Sequence, residues 1–114
     1  METELSIAEI SDGHTDEIRE WYSELEQRAE ETYETLRQQG VVVEEAYIAE
    51  VQGTDYLFVY MASMNLEQAH REGDKENFEI VEEHHDVLER CLKPRSTQLE
   101  KAASFQRLKE AYTE

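Results

Sequence analysis

Hydrophobic residues concentrate in two runs near the middle of the chain. The runs read VVVEEAYIAEV and YLFVYMA, and QGTD separates them. Because β-branched and aromatic residues favour strands and Gly53 with Asp55 favours a turn, residues 41–62 predict a β-hairpin. With a four-residue loop, the alternation of side chains then assigns each residue to a face, and a slip of one residue would exchange the two faces.

The two faces of this hairpin differ in character. The tyrosine face suits a cavity or a partner, and the aliphatic face suits helix packing, since so apolar a second face needs a cover. The tyrosine face holds Tyr47, Ala49, Val51, Tyr56, Phe58 and Tyr60, and the aliphatic face holds Ala46, Ile48, Leu57, Val59 and Met61.

A helical repeat precedes the hairpin. Apolar residues recur every three or four positions from Ile18 to Leu36, Thr15 suits an N-cap, and Gly40 provides a stop. The pattern predicts one helix over about residues 15–39. Before it, Leu5 and Ile7 alternate with smaller residues and predict a strand over residues 4–10.

After the hairpin the pattern predicts a short capped helix near residues 65–69 and a longer one over about 75–92, which Pro94 ends. The last twenty residues suit a strand or a helix. We favour a strand near residues 98–105, which supplies a fourth strand, with 106–114 as a tail.

The predicted order is strand, helix, strand, strand, helix, strand. It indicates an α+β, ferredoxin-like (split βαβ) domain over residues 1–114, with a four-stranded antiparallel sheet and helices on one face. Pairing of two tyrosine faces predicts a C₂ homodimer of the dimeric α+β-barrel type.

The charge is strongly acidic: 28 Asp and Glu against 11 Lys and Arg, a formal net charge of −17. This balance argues against nucleic acid or an anionic membrane as a partner. An acidic, lysine-poor surface is typical of proteins from a high-salt cytoplasm, where ions screen self-repulsion. Cys91 is the only cysteine and no stretch suits a signal peptide or membrane span, so we expect a cytoplasmic location.

His84 is the candidate catalytic residue. It lies near the centre of the apolar half of the second long helix, where a histidine is either a satisfied core residue or part of a site; His85 lies nearer the edge. If a site exists, we expect His84 to contact Tyr47 or Tyr60 and to act as a general base with a near-neutral pKa.

The candidate ligand-binding residues lie on the tyrosine face. Tyr47, Tyr56 and Tyr60 bring phenols together there, and Glu45 can join them as a carboxylate; interface packing is the alternative. No spacing matches a zinc signature, a phosphate-binding loop or a dinucleotide fingerprint, so no metal or cofactor is predicted.

Three segments carry a resemblance: TDEIREWYSELEQRAEETYETLRQQG, YIAEVQGTDYLFVYMASMN and FEIVEEHHDVLERCL. Together they resemble a small uncharacterised family of halophilic archaea in the dimeric α+β-barrel superfamily. That superfamily includes antibiotic-biosynthesis-type monooxygenases, sugar mutarotases and binding or stress-related proteins. GTDYLFVYM is similar to a hairpin of the rhamnose mutarotases, but LEQRAEETY lacks the histidine and tryptophan-proline step of that group.

The resemblance leaves two classes of function open. One is a ligand-binding or stress-related module. The other is a small-molecule enzyme of the monooxygenase or sugar isomerase (mutarotase) kind.

Overall fold

The computed structural model describes residues 1–111 and contains four strands and five helices within them. The strands are β1 (Glu2–Ile10), β2 (Val41–Val51), β3 (Thr54–Ser63) and β4 (Leu92–Gln98). The helices are α1 (Thr15–Gln27), α2 (Ala29–Gln39), α3 (Leu66–Gly73), α4 (Glu79–Cys91) and the short α5 (Leu108–Ala111).

The strands form one antiparallel sheet in the order β2-β3-β1-β4. With helices on one face, this is the ferredoxin-like arrangement predicted from the sequence. We call the helix-covered face the inner face and the opposite one the outer face.

The hairpin between β2 and β3 is tighter than expected. Its turn has two residues, Gln52 and Gly53, with φ values of 53° and 81°. Positive φ at both positions is typical of a type I′ turn, whose twist matches the twist of the paired strands. Because two and four are both even, the faces are as predicted, with Tyr47 opposite Phe58 and Glu45 opposite Tyr60.

The single helix predicted over residues 15–39 is wrong: α1 and α2 are separate and meet at Arg28, whose ψ of 48° is not helical. The Arg28 side chain binds Glu24 and Glu31 on the two helices and Glu83 on α4. Thr32 Oγ1 donates to the Leu25 carbonyl at the same place. The break is held by side chains and not by glycine or proline.

The fourth strand also differs from the prediction near residues 98–105. β4 follows α4 directly, since Leu92 is already extended. It pairs with β1 through Leu92 opposite Ile10 and Gln98 opposite Ser6. Pro94 therefore lies in an edge strand, where a missing N–H is tolerated, and does not itself end the helix. α4 also begins at Glu79, later than predicted.

The core lies between the inner face and the helices. One cluster joins Ile10, Ile18, Leu57 and Cys91, and a second joins Trp21, Ile80 and Val81. Beyond β4, Phe105 is 94% exposed. Within the predicted tail, residues 108–111 form α5, and residues 112–114 lie outside the described residues.

Candidate functional site

A cavity of about 650 Å³ lies between the inner face of the sheet and the helices. This inner cavity is within the range of about 300–1,000 Å³ typical of small-molecule sites. Its walls are mainly apolar and include Leu25, Leu57, Val59, Met61, Ile80, Val81 and Leu88. The polar groups Tyr22, Glu44 and His84 also line it.

His84 enters the inner cavity from α4 and is held by α1. Trp21 Nε1 donates a hydrogen bond of 2.8 Å to His84 Nδ1, and the two rings are stacked with centroids 6.1 Å apart. Tyr22 meets the same imidazole edge-on at 5.9 Å. These contacts fix the ring within the helix layer.

The expected link between His84 and the outer-face tyrosines is therefore wrong. The inner cavity lies on one face of the sheet, and the side chains of Tyr47 and Tyr60 lie on the other, because side chains alternate along each strand. The expected near-neutral pKa is wrong as well. Burial, with a smaller effect of neighbouring His85, lowers the pKa of His84 to about 4. An imidazole with so low a pKa, whose Nδ1 lone pair already accepts from Trp21, is a poor general base.

Glu44 projects from β2 into the inner cavity, beside Met61 on β3. Glu44 is an exposed residue of an edge strand, but protein atoms around its carboxyl desolvate it in part, and this desolvation raises its pKa. Burial also raises the pKa of the Tyr22 hydroxyl, and the negative charge of Glu44 adds to that effect. The two groups are therefore electrostatic neighbours in the cavity.

Several other ionisable groups at the cavity are paired. Glu4 on β1, with only 9% of its side chain exposed, binds His70 of α3 at 2.7 Å. His85 Nδ1 lies 2.8 Å from Glu76. Lys93 makes an ion pair with Glu9. These pairs occupy charges that would otherwise be available to a ligand.

The outer face brings most of the predicted ligand-binding residues together. Tyr47 donates to Glu45 at 3.1 Å, and both line a shallow depression of about 390 Å³ with Leu5, Phe58 and Tyr60. Tyr56 lies next to Phe58, with ring centroids 6.5 Å apart. Tyr47 is 54% exposed, so this is an open surface and not a closed site.

A further cluster joins the start of α1 to the end of α4. Ligand atoms of His14, Glu17 and Cys91 lie within 4.8 Å of one another. Arg90 binds Glu17 and is the main reason that the pKa of this carboxyl falls to about 2. Burial raises the pKa of the Cys91 thiol to about 11. A thiol that keeps its proton and a carboxylate neutralised by arginine do not favour a cation.

Sequence reasoning missed two polar residues that line the inner cavity, Tyr22 and Glu44, and it missed Trp21 as the partner of His84. Tyr22 belongs to the helical repeat of α1, and such periodicity does not distinguish a core residue from a cavity wall. Glu44 could have been found, since it has the same strand parity as Ala46 and Ile48 on the aliphatic face.

Comparison with solved structures shows the same fold in proteins of different description. An L-rhamnose mutarotase from Formosa agariphila is 20% identical, with a TM-score of 0.62 over 93% of this chain and 100% of that one. A dimeric ferredoxin-like protein from an uncultured marine organism is 12% identical, with a TM-score of 0.62 and the same coverage.

A protein described as an antibiotic biosynthesis monooxygenase from Nitrosomonas europaea is 10% identical, with a TM-score of 0.59 over 92% of this chain and 100% of that one. At these identities the likeness shows the fold alone. No curated protein matches the sequence.

Within residues 1–111, no helix is long and apolar enough to cross a membrane. A family model matches residues 1–110, almost the full length of the sequence. The chain therefore belongs to DUF6176, a family of unknown function.

Proposed function

We propose that this protein binds a small organic molecule in the inner cavity. The observation that carries the proposal is the cavity of about 650 Å³, whose apolar walls surround Tyr22, Glu44 and His84. Apolar walls supply affinity, and a few fixed polar groups supply orientation. A domain selected only for stability would gain by filling such a space, because empty volume lowers the free energy of unfolding.

The test is binding of Nile red, an uncharged fluorescent probe, to the purified protein. Val59→Phe adds a ring to the cavity wall, so it should weaken binding. Val42→Phe is the matched control, since Val42 is 56% exposed and lines neither the inner cavity nor the depression on the outer face. Binding that is absent from the wild type, or equal in both variants, contradicts the proposal.

An enzymatic function is the second candidate, of the isomerase or monooxygenase kind. Glu44 favours the isomerase, because desolvation raises the pKa of its carboxyl and a carboxyl that holds a proton more readily is suited to proton exchange with a ligand. The structural similarity to an L-rhamnose mutarotase makes sugar anomers a direct test. Exchange between rhamnose anomers, measured by NMR, should be accelerated by the wild type and not by Glu44→Gln. An unchanged exchange rate excludes this activity.

The outer face is proposed to form a homodimer. Its depression is lined by Leu5, Phe58 and Tyr60, beside an exposed Tyr47. Aromatic residues of this kind are common in the centres of protein interfaces. One structure of the same fold is described as dimeric.

The high acidic charge is proposed to adapt the protein to a salt-rich cytoplasm, as in halophilic archaea. The net charge of −17 is spread along the chain and not confined to one tail. At low salt these charges repel one another and destabilise the compact state, and a high ion concentration relieves the repulsion.

A further inference from the structure

The hydrogen bond between Trp21 and His84 fixes which nitrogen of the imidazole carries the proton. The indole N–H is a donor only. At 2.8 Å from Nδ1 it requires a lone pair on that atom. The proton of the neutral ring is therefore on Nε2, and His84 can offer the cavity a donor but no acceptor.

The charged form of His84 is opposed by the same neighbours. A proton on Nδ1 would face the Trp21 N–H, and His85 lies beside the ring with centroids 6.4 Å apart. This agrees with the lowering of the pKa of His84 to about 4. At neutral pH the residue is thus a fixed, uncharged hydrogen-bond donor.

Two more polar groups in the inner cavity can contact a ligand. The Tyr22 hydroxyl, a hydrogen-bond donor, lies in the same aromatic cluster as His84. The Glu44 carboxyl also lines the cavity, and desolvation raises its pKa. No contact between described residues occupies the Tyr22 hydroxyl, the Glu44 carboxyl or His84 Nε2, so all three are available to a ligand.

The charges around the cavity disfavour an anion. Within residues 1–111, the lysine and the two further histidines that line it are each paired with a glutamate: Lys93 with Glu9, His70 with Glu4, and His85 with Glu76. Moving a carboxylate from water to this site, beside Glu44, would cost its hydration without supplying a counterion.

We propose that the inner cavity selects an uncharged, largely apolar molecule that carries a carbonyl-type oxygen, and that this oxygen accepts from His84 Nε2–H. Trp21 is the positioning residue that holds His84 in the donating tautomer. The inference rests on the proposed function, since it names the chemistry of the ligand of the same cavity. Binding of such a ligand requires no proton transfer.

The test uses three probes of nearly the same shape: 2-acetonaphthone, 2-ethylnaphthalene and 2-naphthoate. The first has a neutral carbonyl, the second has no acceptor and the third is an anion. NMR titration of the full chain should show that the ketone binds about tenfold more tightly than the hydrocarbon, the value of one hydrogen bond. It should also bind more tightly than naphthoate, which can accept the same hydrogen bond but loses the hydration of its charge.

The outcomes separate the two proposals. Equal binding of all three probes, or preference for naphthoate, overturns the ligand class and leaves a binding cavity. No binding of these probes or of Nile red overturns both proposals.

Variants test the roles of the pair. His84→Leu should reduce ketone binding to the level of the hydrocarbon, whereas His84→Gln, whose amide can accept from Trp21 and donate to the ligand, should retain part of the preference. Trp21→Phe should weaken the preference and change the ¹⁵N chemical shifts of His84 from those of the Nε2–H tautomer. Wild-type shifts that report a proton on Nδ1 overturn the inference outright, whatever the stability of the variants.

Discussion

Trp21 Nε1 and His84 Nδ1 lie 2.8 Å apart, although 63 residues separate them in the chain. The bond joins α1 to α4, the two helices that carry the second core cluster. It satisfies two buried polar groups at once, and it leaves the other side of the imidazole available to the inner cavity. One contact therefore serves both packing and the chemistry of the site.

The first prediction concerns the stability of the protein in mild acid. The folded state lowers the pKa of His84 to about 4 from an ordinary value of 6.5, so the unfolded chain binds more protons between these limits. The free energy of unfolding should then fall as the pH drops from 6.5 towards 4, by at most about 3 kcal/mol from this residue. Urea titrations of wild type and His84→Gln across this range measure the effect.

The variant isolates the histidine from other titrating groups. Glutamine does not titrate and can still accept from Trp21, so the difference in stability between wild type and His84→Gln should shrink with falling pH. A difference that stays constant from pH 7 to pH 4 would show that His84 is not held neutral.

The second prediction concerns Glu44, for which the stability of the protein depends on pH in the opposite direction. A raised pKa means that the folded state favours the protonated carboxyl, so its contribution to stability is lost as the pH rises through that value. As the pH rises from 5 to 9, the melting temperature of Glu44→Gln should therefore increase relative to that of the wild type. The matched control is Glu50→Gln, at the exposed end of the same strand. An equal response of both variants contradicts the prediction.

The third prediction concerns the junction between α1 and α2. Arg28 binds Glu24, Glu31 and Glu83, and these contacts hold the break against α4. Arg28→Gln should lower the melting temperature more than Arg19→Gln, which removes one exposed pair with Asp16. A double-mutant cycle with Glu83→Gln should show coupling between the two sites. Additive effects would mean that the ion pair does not hold the junction.

The junction also shows where sequence-based prediction reaches its limit. The hairpin faces followed from the two-residue period of strands, and the start of α1 at Thr15 followed from the helical repeat. The expected N-cap was wrong, because His14 occupies the cap position and Thr15 Oγ1 donates to Asp55. No glycine or proline marks the break at Arg28 in the sequence. One of the contacts that hold it is made to Glu83, 55 residues away. A one-dimensional pattern contains no record of such a contact.

The same limit applies to β4 and to the site. β4 reads LKPRSTQ, which is mostly polar and exposed, and it is a strand because the edge of β1 offers hydrogen-bonding groups. The position of His84 within an apolar arc was predictable, but its partner was not. Whether such a histidine contacts a tyrosine or a tryptophan depends on which helix packs against it.

The fourth prediction concerns salt. If the acidic surface is adapted to high salt, the melting temperature should rise by several degrees between 0.1 and 3 M KCl, with most of the rise at the low end where screening changes most. Replacement of four exposed glutamates on α1 and α2 by glutamine should reduce this dependence: Glu20, Glu26, Glu30 and Glu34. A wild-type melt that is indifferent to salt removes the basis for a halophilic origin.

The fifth prediction concerns assembly through the outer face. Phe58 lines the depression from β3, directly opposite Tyr47 of β2, so an aspartate there would place a desolvated charge within a homodimer interface. Sedimentation in molar salt should show a dimer for the wild type and a monomer for Phe58→Asp, with the dissociation constant raised about 30-fold or more. Tyr33→Asp is the control, because it adds the same charge on α2, where Tyr33 is already 59% exposed, and it should remain dimeric. A monomeric wild type, or dissociation of both variants alike, would exclude the outer face as the interface. Because the inner cavity lies on the other side of the sheet, Phe58→Asp should still bind Nile red, and this result would separate assembly from ligand binding.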